Sequence, residues 1–328
     1  MLNTVQDYVK SILPSKKKTS ASNWTSFNAV CCEHNGETPD RRGRGGIANN
    51  TDGSVSYHCF NCNFKASYQP GRHLTYKFRK LLAWFGADPN EIKRLVIEAI
   101  RIRELVAPEE VKAEEEKIEF TAKPLPKNAV RFKDLTVAHP ALEYCYNRKI
   151  DLDKYDFYVT EDSAYNLHKR VIIPCYWQHD LIGYVGRAID DTVKPKYWNQ
   201  FDTGYVFNLN KQEQDWKFVI VCEGPFDAMS IDGVAVMHNQ ISEQQADMIE
   251  SLGREVIVIA DQDRAGSKLL QDAQEYGWSA SFPVWQETCK DINEAVQKYG
   301  KLFVLKSIID AKETSKLKIE LMRKRLYV

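Results

Sequence analysis

The stretch Phe218-Val-Ile-Val-Cys-Glu223 places a carboxylate directly after five apolar residues. A second apolar run, Val256 to Ala260, is followed in the same way by Asp261 and Asp263. Each run is typical of a buried strand, and ligand sites in open α/β sheets lie at the carboxyl ends of the strands. We therefore expect these acids to meet at one sheet edge. Their mutual repulsion is costly unless a divalent cation lies among them, so the sequence predicts a Mg²⁺ site suited to phosphate chemistry.

The residues around these two runs alternate between strand and helix patterns. Further strands are expected at 234–237 and 281–285. Ser242 and Gln245 have the spacing of a capping box at the start of a helix. This alternation predicts a mainly parallel sheet and an α/β fold class, or α+β for the chain as a whole.

Other parts of the chain show simpler patterns. Residues 170–177 and 181–185 are expected to be strands joined by a short turn. Residues 74–103 have the apolar spacing of helices, and Gly86 and Pro89 divide them into two. The following segment is rich in Glu, Lys and Pro and is typical of a linker.

Length and composition limit the class of protein. The chain has 328 residues, enough for two or three domains, and 43% of them are hydrophobic, which supports real cores. No apolar stretch approaches membrane-spanning length, and residues 1–18 lack the apolar segment of a signal peptide. We therefore expect a protein without membrane contact in the cytoplasm, or in the host cytoplasm if a phage encodes it.

Charge is distributed unevenly although the formal net charge is zero. Residues 14–80 contain eleven Lys and Arg against four acids, and residues 301–328 contain eight against three. Residues 104–119 contain seven Glu against two Lys. Basic ends around an acidic middle indicate two surfaces for a polyanion.

Cysteine spacing near the amino terminus indicates a metal site. Cys31 with His34, and Cys59 with Cys62, form two pairs at spacing i and i+3. Three thiolates with one imidazole favour zinc, and a closed quartet predicts one structural ion that stabilises a segment with little core. Cys32 and His58 adjoin the quartet and remain alternative ligands.

The loop between the two pairs suggests a nucleic-acid surface. Its Gly-rich sequence carries Arg41, Arg42 and Arg44, which can reach phosphates. Aromatic residues that could stack on unpaired bases flank it, and we expect them to be exposed. These residues are Trp24, Tyr57, Phe60 and Phe64.

Several motifs together resemble one family. Residues 31–39 and 57–62 are similar to the zinc-binding domain of DnaG-type DNA primases. Glu223 to Asp227, Asp261 to Gly266 and Lys290 to Glu294 resemble the Toprim domain that primases share with some topoisomerases. Gly186-Arg187 and Lys194 to Asn199 resemble the basic motif of the primase polymerase core. The motifs follow the family's order, and the length is most similar to stand-alone primases of T-even-type phages.

The resemblance implies a domain order and an activity. It implies an N-terminal zinc ribbon, a helical linker and a primase polymerase core that contains a Rossmann-like Toprim sheet. The expected segments are a zinc-binding domain at 1–73, a helical segment and linker at 74–127, the first part of the polymerase core at 128–210, the Toprim domain at 211–300 and a basic helix at 301–328. The implied reaction is synthesis of short RNA primers on single-stranded DNA from NTPs, with a replicative helicase as partner.

The resemblance also implies residue roles. Glu223, Asp261 and Asp263 would bind two or more catalytic Mg²⁺ ions, for which Mn²⁺ could substitute. Asp227 and Asp291 would be supporting acids. Template or nucleotide would be bound by Arg187, Lys194, Lys196 and Lys290. Zinc would be bound by Cys31, His34, Cys59 and Cys62.

Two other classes of function share parts of this pattern. A Toprim nuclease usually accompanies an ATPase, but the sequence has no G-x-x-x-x-G-K-[ST] loop, and a type IA topoisomerase needs a much larger gate. A recombination-mediator protein also combines a zinc element with a Toprim fold without catalysis. Retention of Glu223, Asp261 and Asp263 favours an enzyme over that alternative.

Overall fold

The computed structural model describes residues 4–20, 23–72, 74–105, 118–213, 215–261, 267–285 and 289–325. The chain divides into two compact units. The first comprises the residues up to 116 with the short segment 250–253, and the second comprises the rest. The predicted site residue Asp263 lies outside the described residues.

The first unit is built around an antiparallel sheet. Its described elements are α1 (Thr4–Ile12), β1 (Lys17–Thr19), β2 (Trp24–Phe27), β3 (Gly45–Asn49), β4 (Val55–Cys59), β5 (Lys65–Tyr68), α2 (Tyr76–Trp84) and α3 (Pro89–Leu105). The strands pair in chain order, each antiparallel to the next. The two helices expected in residues 74–103 are therefore confirmed, with the break at Gly86 and Pro89.

Alternation along the strands gives this sheet one buried and one open face. In β4, Val55, Tyr57 and Cys59 are buried, whereas Ser56 is exposed and His58 is half-buried. The buried face shares one apolar core with the amphipathic helices. That core includes Val5, Phe27, Ile47, Phe78, Leu81 and Leu95. The helical segment thus packs on the sheet and is part of the same unit.

The second unit begins with another antiparallel sheet. Its elements are β6 (Val130–Arg131), α4 (Pro140–Asn147), β7 (Tyr158–Val159), β8 (Arg170–Trp177), β9 (Asp180–Ala188) and β10 (Tyr197–Gln200). The strand order is β10-β9-β8-β7-β6. The predicted hairpin is confirmed, since β8 and β9 pair antiparallel around a turn in which Gln178 has a φ of 55°.

The rest of the second unit is a mainly parallel sheet with helices. Its elements are β11 (Phe218–Cys222), α5 (Pro225–Ile231), β12 (Val234–Ala235), α6 (Glu243–Ser251), β13 (Glu255–Val258), α7 (Ser267–Tyr276), β14 (Ser279–Ser281), α8 (Ile292–Tyr299), α9 (Lys301–Asp310), β15 (Lys312–Glu313) and α10 (Lys316–Arg325). The order is β12-β11-β13-β14-β15, and β15 alone among these described strands pairs antiparallel. The α/β class is confirmed.

Local signals around this sheet agree with the structure. Ser242 and Gln245 form the predicted capping box: the Ser242 N–H donates to Gln245 Oε1 at 3.0 Å, and the Gln245 N–H donates to Ser242 Oγ at 3.2 Å. The box starts α6, which leads from β12 into β13. Short-range hydrogen bonding of this kind depends on residues that are close in sequence, so it can be predicted.

Two sequence predictions in this region were wrong. The strand expected at 281–285 is instead β14, where small residues fit between β13 and β15. Pro283 lacks the N–H that a central strand must donate, and Val284 is 94% exposed. The single basic helix expected at 301–328 is two helices separated by β15. Strand pairing with β14 therefore outweighs the helical pattern of the tail. None of the described helices is long and apolar enough to cross a membrane.

Candidate active site and metal centre

Two of the predicted acids meet at the carboxyl edge of the parallel sheet. Glu223 follows β11 and Asp261 lies three residues beyond β13, and the two strands are parallel neighbours with Val221 opposite Val258. The Asp261 N–H lies 3.4 Å from Glu223 Oε1. Both side chains are half-buried, which leaves them access to solvent. The structure therefore brings together the two strand ends from which the site was predicted.

Asp227 adds a buried carboxyl group to this edge. It lies in the first turn of α5, is 7% exposed and accepts the Asn293 N–H at 2.9 Å. Burial, followed by the charges of Asp291 and Asp261, raises the pKa of Asp227 well above its ordinary value. A divalent cation bound at this edge would offset both the repulsion among these acids and their loss of solvation.

Asp291 is held at the same edge by helix capping. Its side chain caps α8 by accepting the Glu294 N–H at 2.8 Å. The Lys290 N–H donates to Glu294 Oε2 at 2.8 Å, so the turn before α8 is closed on both sides. Asp291 is therefore both a cap and a neighbour whose charge acts on Asp227.

The basic motif lies beside these acids. Arg187 on β9 is 5% exposed, donates from Nε to Tyr144 Oη at 2.9 Å and lies 4.6 Å from the Tyr197 ring centre. Partial desolvation and the charges of Arg187 and Lys290 lower the pKa of Lys196, whose side chain still reaches solvent. Asp291 opposes this shift. Arg187, Lys196 and Lys290 thus lie within electrostatic range of the acid edge, whereas Lys194 is exposed on the loop before β10.

Two residues without a predicted role complete this region. Arg148 caps the end of α4 and donates from Nη1 to Asn293 Oδ1 at 2.8 Å. Asn293 is 1% exposed and donates from Nδ2 to Ser230 Oγ at 2.8 Å, as well as from its N–H to Asp227. Asn293 lies inside the motif Lys290 to Glu294 and could have been considered. No local signal identified Arg148.

The first unit contains a cluster of thiols. The Sγ atoms of Cys31, Cys32, Cys59 and Cys62 all lie within 4.8 Å of one another. Cys31 and Cys62 are 3.4 Å apart, and Cys32 and Cys59 are 3.6 Å apart. A tetrahedral zinc with Zn–S bonds of about 2.3 Å requires sulfur separations of roughly 3.8 Å. The cluster therefore fits a structural zinc ion.

Each of these sulfurs also has a hydrogen-bond donor. The Tyr57 hydroxyl lies 3.2 Å from Cys31 Sγ, and the Asn61 side-chain amide lies 3.3 Å from Cys32 Sγ. The Asn61 N–H donates to Cys59 Sγ at 3.4 Å, and the Asn35 amide lies 3.7 Å from Cys62 Sγ. Four thiolates around a divalent ion carry net negative charge, which such donors stabilise.

His34 is not part of the thiol cluster, so the structure replaces it with Cys32. Its ring stacks on Trp84 of α2, with ring centres 4.7 Å apart and planes 5° apart. Cys32 has helical backbone angles at the start of a 3₁₀ turn that carries His34. His58, the other alternative, lies outside the cluster against Phe60, at 4.3 Å between ring centres.

The arginines of the loop differ in their contacts. Arg44 forms an ion pair with buried Asp40, with Nε 3.0 Å from Oδ1. Burial favours the neutral acid, but hydrogen bonds from the N–H groups of Ala29 and Arg42 and from Arg44 outweigh it and lower the pKa of Asp40 to about 2. Arg44 therefore holds the loop together, while Arg41 and Arg42 are exposed.

The aromatic residues expected to be exposed also differ. Tyr57 is 2% exposed and belongs to the core, so that expectation was wrong for it. Phe64 packs against the same core. Phe60 is 63% exposed, and Trp24 lies edge-on to it with ring centres 6.0 Å apart. An open aromatic pair therefore remains on this unit.

Comparison with known proteins matches part of the second unit to one family model. Residues 220–296 match the family model described as Toprim-like, and this segment runs from within β11 to within α8 and includes Glu223, Asp261 and Asp291. The predicted resemblance to the Toprim domain is therefore confirmed. The match covers the segment in which the carboxylates meet.

Particular relatives are DNA primases. The chain is 33% identical to a DNA primase of Campylobacter jejuni over 115 residues, which are 30% of this chain and 19% of that protein. It is 28% identical to a DNA primase of Aquifex aeolicus over 152 residues, 40% of this chain and 30% of that protein. The chain thus spans less than a third of the length of either relative. The resemblance to DnaG-type primases is confirmed, and the closer resemblance to phage primases stays a prediction.

A solved structure of the Aquifex aeolicus primase zinc-binding and RNA polymerase domains is also similar. It shares 17% identity and a TM-score of 0.48, and the likeness covers 98% of this chain and 88% of that chain.

Proposed function

We propose that this protein is a DNA primase, a nucleotidyltransferase that makes short RNA primers on single-stranded DNA from NTPs. One observation carries the proposal. Within the Toprim-like segment, Glu223, Asp227 and Asp261 lie at one sheet edge, and Arg187 and Lys196 lie within electrostatic range of the acids there. Joining nucleotides requires acids that bind metal ions and, beside them, cations that neutralise the charge of phosphates.

The chain's own groups have distinct tasks in this proposal. Glu223 and Asp261, with Asp263, hold Mg²⁺, or Mn²⁺ in its place. When bound, two such ions activate a 3′-hydroxyl and offset charge on a pyrophosphate leaving group. Asp227 on α5 and Asp291 at the start of α8 would support these metal ligands. Arg187, Lys196, Lys194 and Lys290 neutralise the phosphates of the incoming triphosphate or of the template strand.

In the first unit, we propose one structural zinc bound by Cys31, Cys32, Cys59 and Cys62. Cys32 takes the place expected for His34 because its sulfur completes the tetrahedral set. The ion would link the turn at Cys31 to the end of β4. With the sheet held in this way, its open face would engage the template.

The open face of this sheet has the chemistry of a single-strand platform. Residues paired directly across strands share a face, and Lys18, Ser26, Gly46, His58 and Lys65 form one such row. The Trp24 ring covers Gly46, where a Cβ would lie 2.2 Å from it. Stacking on aromatics combined with lysine contacts to phosphates is typical of single-strand binding.

Phe60→Ala is expected to weaken binding of single-stranded DNA by about 1–3 kcal/mol, because a stacking surface is removed. Fluorescence anisotropy with a labelled oligonucleotide at fixed salt measures the effect. Phe303→Ala is the matched control, since Phe303 on α9 is also exposed, at 52%, in the other unit. Equal affinities for the two variants, with zinc retained in both, would contradict the platform.

Synthesis from labelled NTPs on a mixed-sequence single-stranded template, with Mg²⁺ present, tests the primase proposal. We expect short RNA oligomers, and sequencing them gives the initiation site. The assay is repeated with a cognate replicative helicase, the proposed partner. No RNA under either condition, together with cleavage of the template, would replace this proposal with a Toprim nuclease.

The helicase contact is proposed for the carboxyl-terminal helices, within a protein that we expect to act in the cytoplasm. Leu302 on α9 and Leu317 on α10 are 84% and 70% exposed, whereas Ile319 on α10 is buried. The described tail thus both packs on its own unit and leaves apolar side chains open. Unchanged helicase capture by the Leu302→Ser, Leu317→Ser double variant would remove the proposed contact.

A further inference from the structure

Arg170 is a buried cation that none of the roles above uses. It is the first residue of β8, is 1% exposed and is among the largest fully buried side chains of the described chain. Within the described residues no carboxylate forms an ion pair with it, and its Nη2 has no hydrogen-bond partner. Burial lowers the pKa of Arg170, yet an arginine remains charged in proteins. A charge held here without a counter-ion needs a physical reason.

The guanidinium of Arg170 donates to three backbone carbonyls. Its Nε lies 3.2 Å from the Tyr165 oxygen, and its Nη1 lies 3.1 Å from the Gly186 oxygen and 3.4 Å from the Lys196 oxygen. Gly186 immediately precedes Arg187, and Lys196 is itself part of the basic motif. Arg170 therefore bonds to the carbonyl that precedes Arg187 and to the carbonyl of Lys196, and Arg187 and Lys196 are two of the predicted phosphate-binding cations.

These carbonyls lie at the base of one loop. The Ala188 N–H donates to the Lys196 oxygen at 2.9 Å, which closes the loop between β9 and β10. Arg170 adds a second donor to that same oxygen. The loop carries Lys194 and ends at Lys196, so fixing its base restricts where the Lys196 side chain can reach.

Tight packing keeps Arg170 in place. A Cβ on Gly186 would lie 3.0 Å from Arg170 Cδ, so the strand approaches the arginine closely at a glycine. Tyr165 and Asn166 have φ values of 52° and 55°, a left-handed conformation that asparagine tolerates but that is unfavourable for Tyr165. The Tyr165 ring stacks on Trp198 at 4.0 Å between ring centres, which helps to hold this turn. The Tyr165 carbonyl in this turn accepts a hydrogen bond from Arg170, and this bond stabilises the strained conformation.

We propose that Arg170 is a positioning residue that holds the backbone of Gly186 and Lys196, so that Arg187 and Lys196 together meet a phosphate group. It acts through these residues and does not itself contact the ligand. The identity of that phosphate, from a triphosphate or from a single strand, rests on the proposed function. The planar guanidinium spreads its N–H donors over separate nitrogens and so reaches carbonyls that lie apart, whereas the three N–H donors of lysine all radiate from one nitrogen.

Equilibrium binding by the full chain tests this inference without requiring synthesis. ATP and a thymidine oligonucleotide are the two probes, and they distinguish the two sources of phosphate. Arg170→Lys and Lys196→Ala are each expected to weaken binding of the same probe about tenfold. In the double variant the loss should stay close to that of one substitution, because both remove the same contact.

Arg254→Lys is the matched control. Arg254 is also buried, but it precedes β13 at the amino end of the sheet, opposite the acid edge. Its substitution is expected to lower the thermal midpoint while leaving affinity for both probes unchanged. If Arg170→Lys fails to fold, Gly186→Ala tests the same contact by displacing Arg170 Cδ.

Three results would overturn the inference. The first is unchanged affinity in both Arg170→Lys and Gly186→Ala, and the second is a loss in Arg170→Lys that adds fully to the loss in Lys196→Ala. The third is no binding of either probe by the wild-type chain. By contrast, wild-type binding that depends on Arg170 and Lys196 together supports it even if no RNA is made. A chain that binds in this way but makes no RNA would contradict the primase proposal and leave the role of Arg170 intact.

Discussion

Replacing Asp261 with alanine is expected to abolish RNA synthesis, with a loss on the order of 10²–10³-fold or more, the scale seen when one preorganised electrostatic group is removed from an active site. Asp261 lies at the end of β13 with its N–H 3.4 Å from Glu223 Oε1, and its charge acts on buried Asp227. Alanine leaves the sheet intact and removes one carboxylate of the proposed metal site. Initial rates of primer synthesis at saturating Mg²⁺ measure the change.

The same substitution should not harm the fold. Without Mg²⁺ the neighbouring acids repel one another, so the thermal midpoint of Asp261→Ala in buffer free of Mg²⁺ and of chelator should equal or exceed that of the wild type. Zinc content and affinity for single-stranded DNA should stay near normal. Asp310→Ala is the control, because Asp310 is an exposed acid on α9 that pairs only with Lys306 among the contacts described. Full synthesis by Asp261→Ala would remove the acid edge from the reaction.

Replacing Cys32 with serine is expected to release zinc and unfold the sheet of the first unit. Structural zinc contributes about 10–16 kcal/mol of apparent binding free energy in small domains, and loss of one of four ligands removes a large share of it. Cys59→Ser should behave in the same way. Zinc bound per chain after dialysis against a weak chelator, together with circular dichroism, measures both effects.

His34→Ala provides the matched comparison, because His34 has the predicted spacing but lies on Trp84. We expect it to retain zinc. De novo initiation should be lost in Cys32→Ser and Cys59→Ser, while a pre-annealed primer is still extended by the second unit. The reverse pattern, with zinc lost from His34→Ala and kept by Cys32→Ser, would restore the quartet predicted from the spacing.

Much of the proposed active site could be predicted because it depends on local pattern. Apolar runs that end in carboxylates gave β11 and β13, and parallel pairing then required Glu223 and Asp261 to meet. The capping box at Ser242 and the hairpin of β8 and β9 are also set by residues close in sequence. In each case neighbouring residues provide the hydrogen bonds or the periodic burial.

The errors occur where distant segments compete for the same residues. The strand expected at 281–285 moved to β14 because Pro283 cannot donate a ladder hydrogen bond and small residues fit beside β13. The expected tail helix divided because Lys312 and Glu313 pair with β14. Tyr57 lies in the core and not on the surface, and its buried hydroxyl contacts Cys31. Contacts between segments that are distant in sequence cannot be predicted from a local sequence pattern.

The amino-acid sequence by itself determined the α/β class and the carboxylates that end the central strands, because these follow from short-range periodicity and strand direction. The folded chain determined which side chains act together. It selected Cys32 over His34, joined Asn293 to Asp227 and Arg148, and fixed Arg170 beneath the basic motif. These choices depend on contacts between residues far apart in sequence, and such contacts form only when the sheets and helices pack.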